Sequence, residues 1–191
     1  QAAYIGADST YLMDAFAYIF ARASQLGMPC IANRSGSDNM GPHDGTTLGE
    51  QFLDNLLLTP DRVITLAAGN TNNRTETLLG TVSAGGSTNI TINYNNATSN
   101  DEFEIWYDGH DRFDISLSIP TTPAATILNV TAGNTGSVTL ANGVTVTIVS
   151  VINDPRNGDN RITLFIENVS FANNIQNGNW ILTLSGTTVI N

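Results

Sequence analysis

The chain has 191 residues, 41% of them apolar and only 13% charged, a balance that excludes disorder throughout and suits one ordinary domain or a small one beside a partial one. Its formal charge of −10 comes from 17 acidic residues against seven basic ones, all arginine, and no stretch gathers the positive charge that phosphate neutralisation needs, which argues against nucleic acid as a partner. No apolar run approaches the length of a membrane span.

The first elements carry a helical period. Leu12, Ala15, Phe16, Ile19, Phe20 and Ala23 recur at spacings of three and four, predicting an amphipathic helix from about Tyr11 to Leu26 that Gly27 and Pro29 stop. Cys30 to Asn33 then reads as a short buried strand, in which the single cysteine, with no internal partner for a disulfide, is a small core residue. A polar, glycine-rich loop from Ser35 to Thr47 leads to a second helix on Phe52, Leu53, Leu56 and Leu57, which Pro60 ends. The run from Arg62 to Ala68 is continuously apolar and β-branched, as expected where both faces of a parallel sheet are covered. Helix, strand, helix, strand is a slice of a doubly wound α/β sheet.

Near residue 80 the period falls to two, dividing the chain into segments 1–79 and 80–191. Alternating runs occupy Thr88–Tyr94, Glu102–Tyr107, Phe113–Ile119, Ser137–Leu140, Thr145–Val151, Arg161–Ile166 and Trp180–Leu184, separated by Gly, Asn and Asp turns. They predict an antiparallel, jelly-roll-like β-sandwich after the partial α/β segment. Asn142-Gly143 is its clearest hairpin turn, because both residues tolerate positive φ.

An α/β sheet binds ligands beyond the carboxyl ends of its strands, which singles out the loops after Asn33 and after Ala68. Ala67-Ala68-Gly69-Asn70 resembles the oxyanion-asparagine motif of the subtilisin-like serine proteases, which in that family also follows a buried strand. Asn33-Arg34-Ser35-Gly36-Ser37 falls where the family has an Asn-x-Ser-Leu-Gly segment lining the substrate cleft, and Gly41-Pro42-His43-Asp44-Gly45-Thr46-Thr47 is similar to a helix-opening stretch of one bacterial branch. That branch carries a sandwich inserted before its nucleophile segment; Glu104–Asp108, Arg112-Phe113 and Pro120 resemble the insert's pattern.

The resemblance implies a central fragment of a secreted serine endopeptidase, extracellular or on the cell surface. Asn70 would donate to the oxyanion, with Ser35, Gly36, Ser37, Ala67, Ala68 and Gly69 lining the cleft. It implies a peptide or protein substrate, the remaining parts of the protease domain as partners, and no cofactor; structural calcium would belong to the parent and nothing here indicates it. The family's catalytic Asp and His lie upstream and its Ser downstream, and none of those contexts occurs, so the fragment alone is expected to be inactive. Gln1 in place of methionine also reads as a piece of something longer. Two departures stand out: Ser35-Gly36-Ser37 replaces Ser-Leu-Gly, and Thr71-Asn72 replaces the usual Glu-Gly.

Other constellations read as structural. His43 follows the cleft strand rather than preceding it and fits a turn leading into a helix. Asp108, His110, Asp111 and Asp114 have mixed spacing on a turn, poor for a metal site. Asn153 to Asn160 reads as a solvated hairpin end without calcium-loop register, and Trp106 and Trp180 read as core. Six Asn-x-Ser/Thr sequons, at Asn33, Asn73, Asn89, Asn96, Asn129 and Asn168, are near what such a composition gives by chance. A reading from another class stays open beside the protease: a pseudoprotease or surface protein whose sandwich binds glycan or protein.

Overall fold

The structure, a computed structural model, describes residues 5–36, 39–70, 77–97, 99–121, 123–168 and 175–190, giving the backbone alone for 5–9. The chain divides into two compact units, Gln1–Leu78 and Leu79–Asn191. No helix among the described residues is long and apolar enough to cross a membrane.

The first unit runs α1 (Ile5–Gln25), β1 (Cys30–Arg34), α2 (Leu48–Leu57) and β2 (Arg62–Leu66). Of the expected apolar stripe on α1, Phe16 and Phe20 are buried and stack with ring centroids 6.4 Å apart, whereas Ala15 and Ile19 are exposed. The helix stops in a Schellman arrangement around Gly27 at φ +66°: the Met28 N–H reaches the Ala23 carbonyl at 3.1 Å and the Gly27 N–H the Ser24 carbonyl at 3.1 Å. α2 opens on a capping box, in which the Thr47 hydroxyl accepts the Glu50 N–H and Glu50 accepts the Thr47 N–H at 3.1 Å. At the other end of α2, Arg62 lies over the Phe20 ring at 5.2 Å and donates to the Leu56 carbonyl at 3.1 Å, satisfying one of the helix's last acceptors.

β1 and β2 pair in parallel from Cys30↔Arg62 to Arg34↔Leu66, with α2 as the crossover. Phe16, Phe20, Leu12, Leu53 and Leu56 from the two helices gather on Cys30, Ala32 and Ile64, so both helices press on one face of the strand pair. The opposite face is open, with Ile31 at 73% and Val63 at 47% exposure. This corrects the expectation for the first segment: a doubly wound sheet has helices on both sides, and the described residues supply one covered face of a two-stranded ribbon. The apolar run of β2 was a poor guide because Val63 and Leu66 lie exposed.

The second unit contains β3 (Ser87–Tyr94), β4 (Asp101–Tyr107), β5 (Arg112–Ile119), β6 (Ala125–Val130), β7 (Thr135–Thr139), β8 (Val144–Val151), β9 (Asn160–Asn168) and β10 (Gly178–Thr188). They form two four-stranded antiparallel sheets in the orders β3-β10-β5-β6 and β4-β9-β8-β7. That is a mainly β architecture, and its order establishes a two-sheet sandwich without establishing a jelly roll. Alternate residues point inward, so Ile115 and Leu117 of β5, Val144, Val146 and Ile148 of β8 and Ile162, Leu164 and Ile166 of β9 are all but fully buried. Trp180 is completely buried, packs edge-on to Tyr94 at 5.5 Å and donates its indole N–H to the Gln176 carbonyl at 2.9 Å. Asn142-Gly143 does join β7 to β8; only Gly143, at φ +83°, takes the left-handed conformation, while the Asn142 side chain accepts the Val144 N–H.

Candidate functional site

Because β1 and β2 are parallel and in register at Arg34↔Leu66, their carboxyl ends lie side by side at one edge of the first unit. Ser35 and Gly36 leave β1 there, and Ala67, Ala68, Gly69 and Asn70 leave β2 there. The pairing continues one step past β2, where the Ala67 N–H donates to the Arg34 carbonyl at 3.1 Å. A row of side-chain hydrogen bonds crosses the open face at this edge: Thr65 Oγ1 donates to Asn33 Oδ1 at 2.7 Å, and Asn33 Nδ2 donates to Ser35 Oγ at 3.0 Å. The strands thus fix the position from which Ser35 and Gly36 depart. Gly69 has φ +99°, a conformation a side chain would strain, and it turns the chain so that Asn70 is exposed. Ser37 and residues 71–76, which include Thr71 and Asn72, lie outside the described residues.

Arg34 shapes the same edge. A β carbon added to Gly36 would stand 3.2 Å from Arg34 Nε and 3.7 Å from Cγ and Cζ, so the arginine side chain folds over the space beside the glycine backbone. Sequence reasoning passed over this residue, although a charged residue next to glycine at a strand end was the available signal.

The loop from Gly41 to Thr47 leads into α2. The Asp44 carboxylate accepts the Thr46 N–H at 2.9 Å and the Thr46 hydroxyl, and the hydroxyl contact holds the carboxyl below its usual range. His43 is exposed with φ +53°, and among the described residues it makes no hydrogen bond. No described serine or cysteine is hydrogen-bonded to a histidine, so the described residues contain no nucleophile paired with its base.

In the second unit, the turn between β4 and β5 and the loop between β8 and β9 meet. Asn160, fully buried, holds both: its Nδ2 donates to the Asp108 and Asp111 carbonyls at 2.9 and 2.7 Å, and its Oδ1 accepts the Asn153 N–H at 2.9 Å. The approach is so close that a β carbon on Gly109 would collide with the Gly158 carbonyl. Asp154 is 2% exposed and takes a two-pronged contact from Arg156, Nε to Oδ1 at 2.8 Å and an Nη to Oδ2 at 2.8 Å, with Arg161 at 3.4 Å. The Arg156 hydrogen bonds lower the Asp154 pKa to about 2 against the opposing effect of burial. The expected solvated hairpin end holds for Asn153, Pro155, Arg156 and Gly158, which are exposed between the paired strands β8 and β9, while Asp154 and Asn160 are buried and add a polar clasp beneath it.

Trp106 needs the same correction. It lies outside the sandwich core, with the Arg156 and Arg161 guanidinium groups over its ring at 5.0 and 5.6 Å and its indole N–H donating to Glu104 at 2.9 Å. Neighbouring positions on a strand face opposite ways, and Tyr107 takes the inward one, 4.5 Å from Phe113.

The acidic turn residues have local partners. Asp108 accepts the His110 N–H and pairs with its ring at 2.8 Å, both side chains exposed; Asp111 accepts the Ile190 N–H at 2.9 Å; Asp114 accepts the Ala132 N–H at 3.0 Å. Asp108, His110, Asn153, Asn157 and Asp159 line an open cavity of about 580 Å3. Among the described residues, no group of three or more His, Cys, Asp or Glu side chains is placed to hold a metal ion.

No family model matches the chain, and no curated protein matches it. Among solved structures, that of the CspB protease of Clostridium perfringens shares the fold, with a TM-score of 0.75 and 17% identity over 95% of this chain. The chain spans 38% of the length of that protease. At that identity the likeness establishes the fold alone. The resemblance of Ala67–Asn70, Asn33–Ser37 and Gly41–Thr47 to the subtilisin-like serine proteases is corrected accordingly: three short motifs do not make this chain a member where no family model matches, and what stands is a fold shared with a protease.

Proposed function

We propose that the chain is the central part of a secreted serine endopeptidase and contributes one side of its substrate cleft. Ser35, Gly36 and Ser37 on one loop and Ala67, Ala68 and Gly69 on the other line the path of an extended peptide, and the Asn70 side-chain amide donates to the oxyanion. The catalytic Asp, His and Ser come from outside these 191 residues, as do the strands that complete the α/β sheet, so the fragment alone does not hydrolyse peptides. The single observation that carries this reading is the juxtaposition of the two loops at the carboxyl edge of paired parallel strands, in a fold shared with a protease.

The chemistry assigned to Asn70 is specific. When a serine attacks a peptide carbonyl, negative charge grows on the carbonyl oxygen. A preorganised amide donor stabilises that charge more than it stabilises the neutral ground state, which lowers the barrier. Exposure of Asn70 and the turn at Gly69 leave its amide available for this contact.

Labelling of the full-length protein with a fluorophosphonate probe tests the reading. The wild type should label, and Asn70→Ala should label or turn over substrate about 10²- to 10³-fold more slowly, the loss associated with removing one oxyanion donor. A folded, full-length protein that does not label would make the cleft a binding surface and the protein a non-catalytic one.

A further inference from the structure

The described arginines differ in how they are held. Arg22 donates to Gln25, Arg62 to the Leu56 carbonyl and Ser24, Arg112 to the Gly109 and Asp111 carbonyls, Arg156 to Asp154, and Arg161 to Glu104. Among the described residues the Arg34 guanidinium alone has no hydrogen-bond or ion-pair partner. Arg34 is the last residue of β1, only half exposed, and folds over Gly36 instead of extending into solvent. In a chain of net charge −10, a cation without a partner among the described residues is thus held at the edge where the two loops emerge.

We infer that Arg34 is a specificity-determining residue of the cleft and selects peptide substrates carrying an acidic side chain, Asp or Glu, at the subsite beside the Ser35–Gly36 backbone. This rests on the cleft reading given above. A guanidinium is a planar fork that matches a carboxylate with two parallel hydrogen bonds and is weakly hydrated, so it gives up little on docking. Glycine at position 36 is what leaves room: a β carbon there would stand 3.2 Å from Arg34 Nε, so that the arginine would have to give by a few tenths of an ångström, and a bulkier side chain would compete for the space it occupies. An aliphatic residue at 36 would make the same wall apolar.

The test uses the full-length protein and paired fluorogenic peptides that differ only by Glu against Gln, scanned one position at a time along the substrate. Each peptide is made with an amidated and a free C-terminus. For the wild type, kcat/KM should favour Glu over Gln by about tenfold at one position. That preference should fall as salt is raised, because a half-exposed ion pair is screened. Arg34→Gln should bring the ratio close to one, Arg34→Glu should invert it, and Gly36→Leu should reduce it. Fluorophosphonate labelling of each variant reports whether the active centre is intact, and the salt dependence of the wild type stands even where a variant fails to fold. A labelled wild type with no Glu preference at any position overturns the inference and leaves the protease reading in place. A preference that follows the free C-terminus overturns the choice of side chain as the carboxylate's source. Absence of labelling in the folded wild type overturns both.

Discussion

The two units bury their apolar residues to very different degrees. The first has three buried apolar residues, Phe16, Phe20 and Ala32, among those described, whereas the second has sixteen, and the large exposed apolar side chains show the reverse bias, since Tyr11, Ile31, Leu58, Val63 and Leu66 all belong to the first. A sandwich satisfies itself by facing two sheets inward. A two-stranded parallel ribbon with helices on one side leaves its other face and its strand edges unsatisfied. The second unit therefore has the means of independent stability, and the first has surface that the proposed remainder of a protease domain would cover.

Core truncations sharpen that contrast most. Trp180→Ala should destabilise the second unit by about 4 kcal/mol in urea denaturation followed by circular dichroism, because it empties the centre of a close-packed core and also removes the donor to the Gln176 carbonyl. Phe20→Ala should cost less, about 3 kcal/mol, since a core of three residues relaxes more readily around the gap. Equal losses would show that the first unit is as tightly packed as the second and would break the comparison.

The polar clasp gives a smaller effect that depends on pH. Asp154 has a folded-state pKa of about 2 against an ordinary value of 3.8, so its stabilisation is present above pH 4 and disappears as pH falls through 2. The contribution is roughly 2 kcal/mol. Stability of the second unit measured between pH 5 and 2 should decline more steeply in the wild type than in Asp154→Asn. Parallel pH profiles would mean that the ion pair contributes nothing. The smallest effect belongs to the first unit, where Thr47→Ala removes the capping box of α2 and should cost about 1 kcal/mol, read as faster amide exchange in the first turn of α2.

Legibility followed the same division. Strict alternation made β3, β5 and β8 plain, because each turns one side to the core along its whole length. β6 escaped because its register shifts against β5: Leu117 pairs with Leu128 but Ser118 with Thr126, leaving Ile127 as an extra residue, so that Ile127 and Leu128 both pack on the core and the period of two is broken. α1 begins at Ile5 rather than Tyr11, and the Gly6, Asp8, Ser9 and Thr10 of its first turns are weak helix formers that hid the start. The sequence located the two loops of the candidate site, since glycine and asparagine after apolar runs mark strand ends. It did not reveal Arg34, whose meaning depends on where the side chain folds, nor the clasp around Asp154, whose arginines, Arg156 and Arg161, pack on Trp106, with Arg161 also held by Glu104, both some fifty residues away.

One feature of the sandwich sets the order in which it can be built. β10, the last strand, sits in the middle of its sheet between β3 and β5, with Trp180 opposite Ile92 and Leu182 opposite Leu117. Until residues 178 to 188 have left the ribosome, β3 has no neighbour in its sheet and β5 has an open side. That sheet is completed only when β10 arrives, by a step that joins residues 84 to 98 positions apart and so belongs to the slow class of folding events. A chain cut short before Gly178 would leave that sheet as the β5–β6 pair alone, with β3 unpaired.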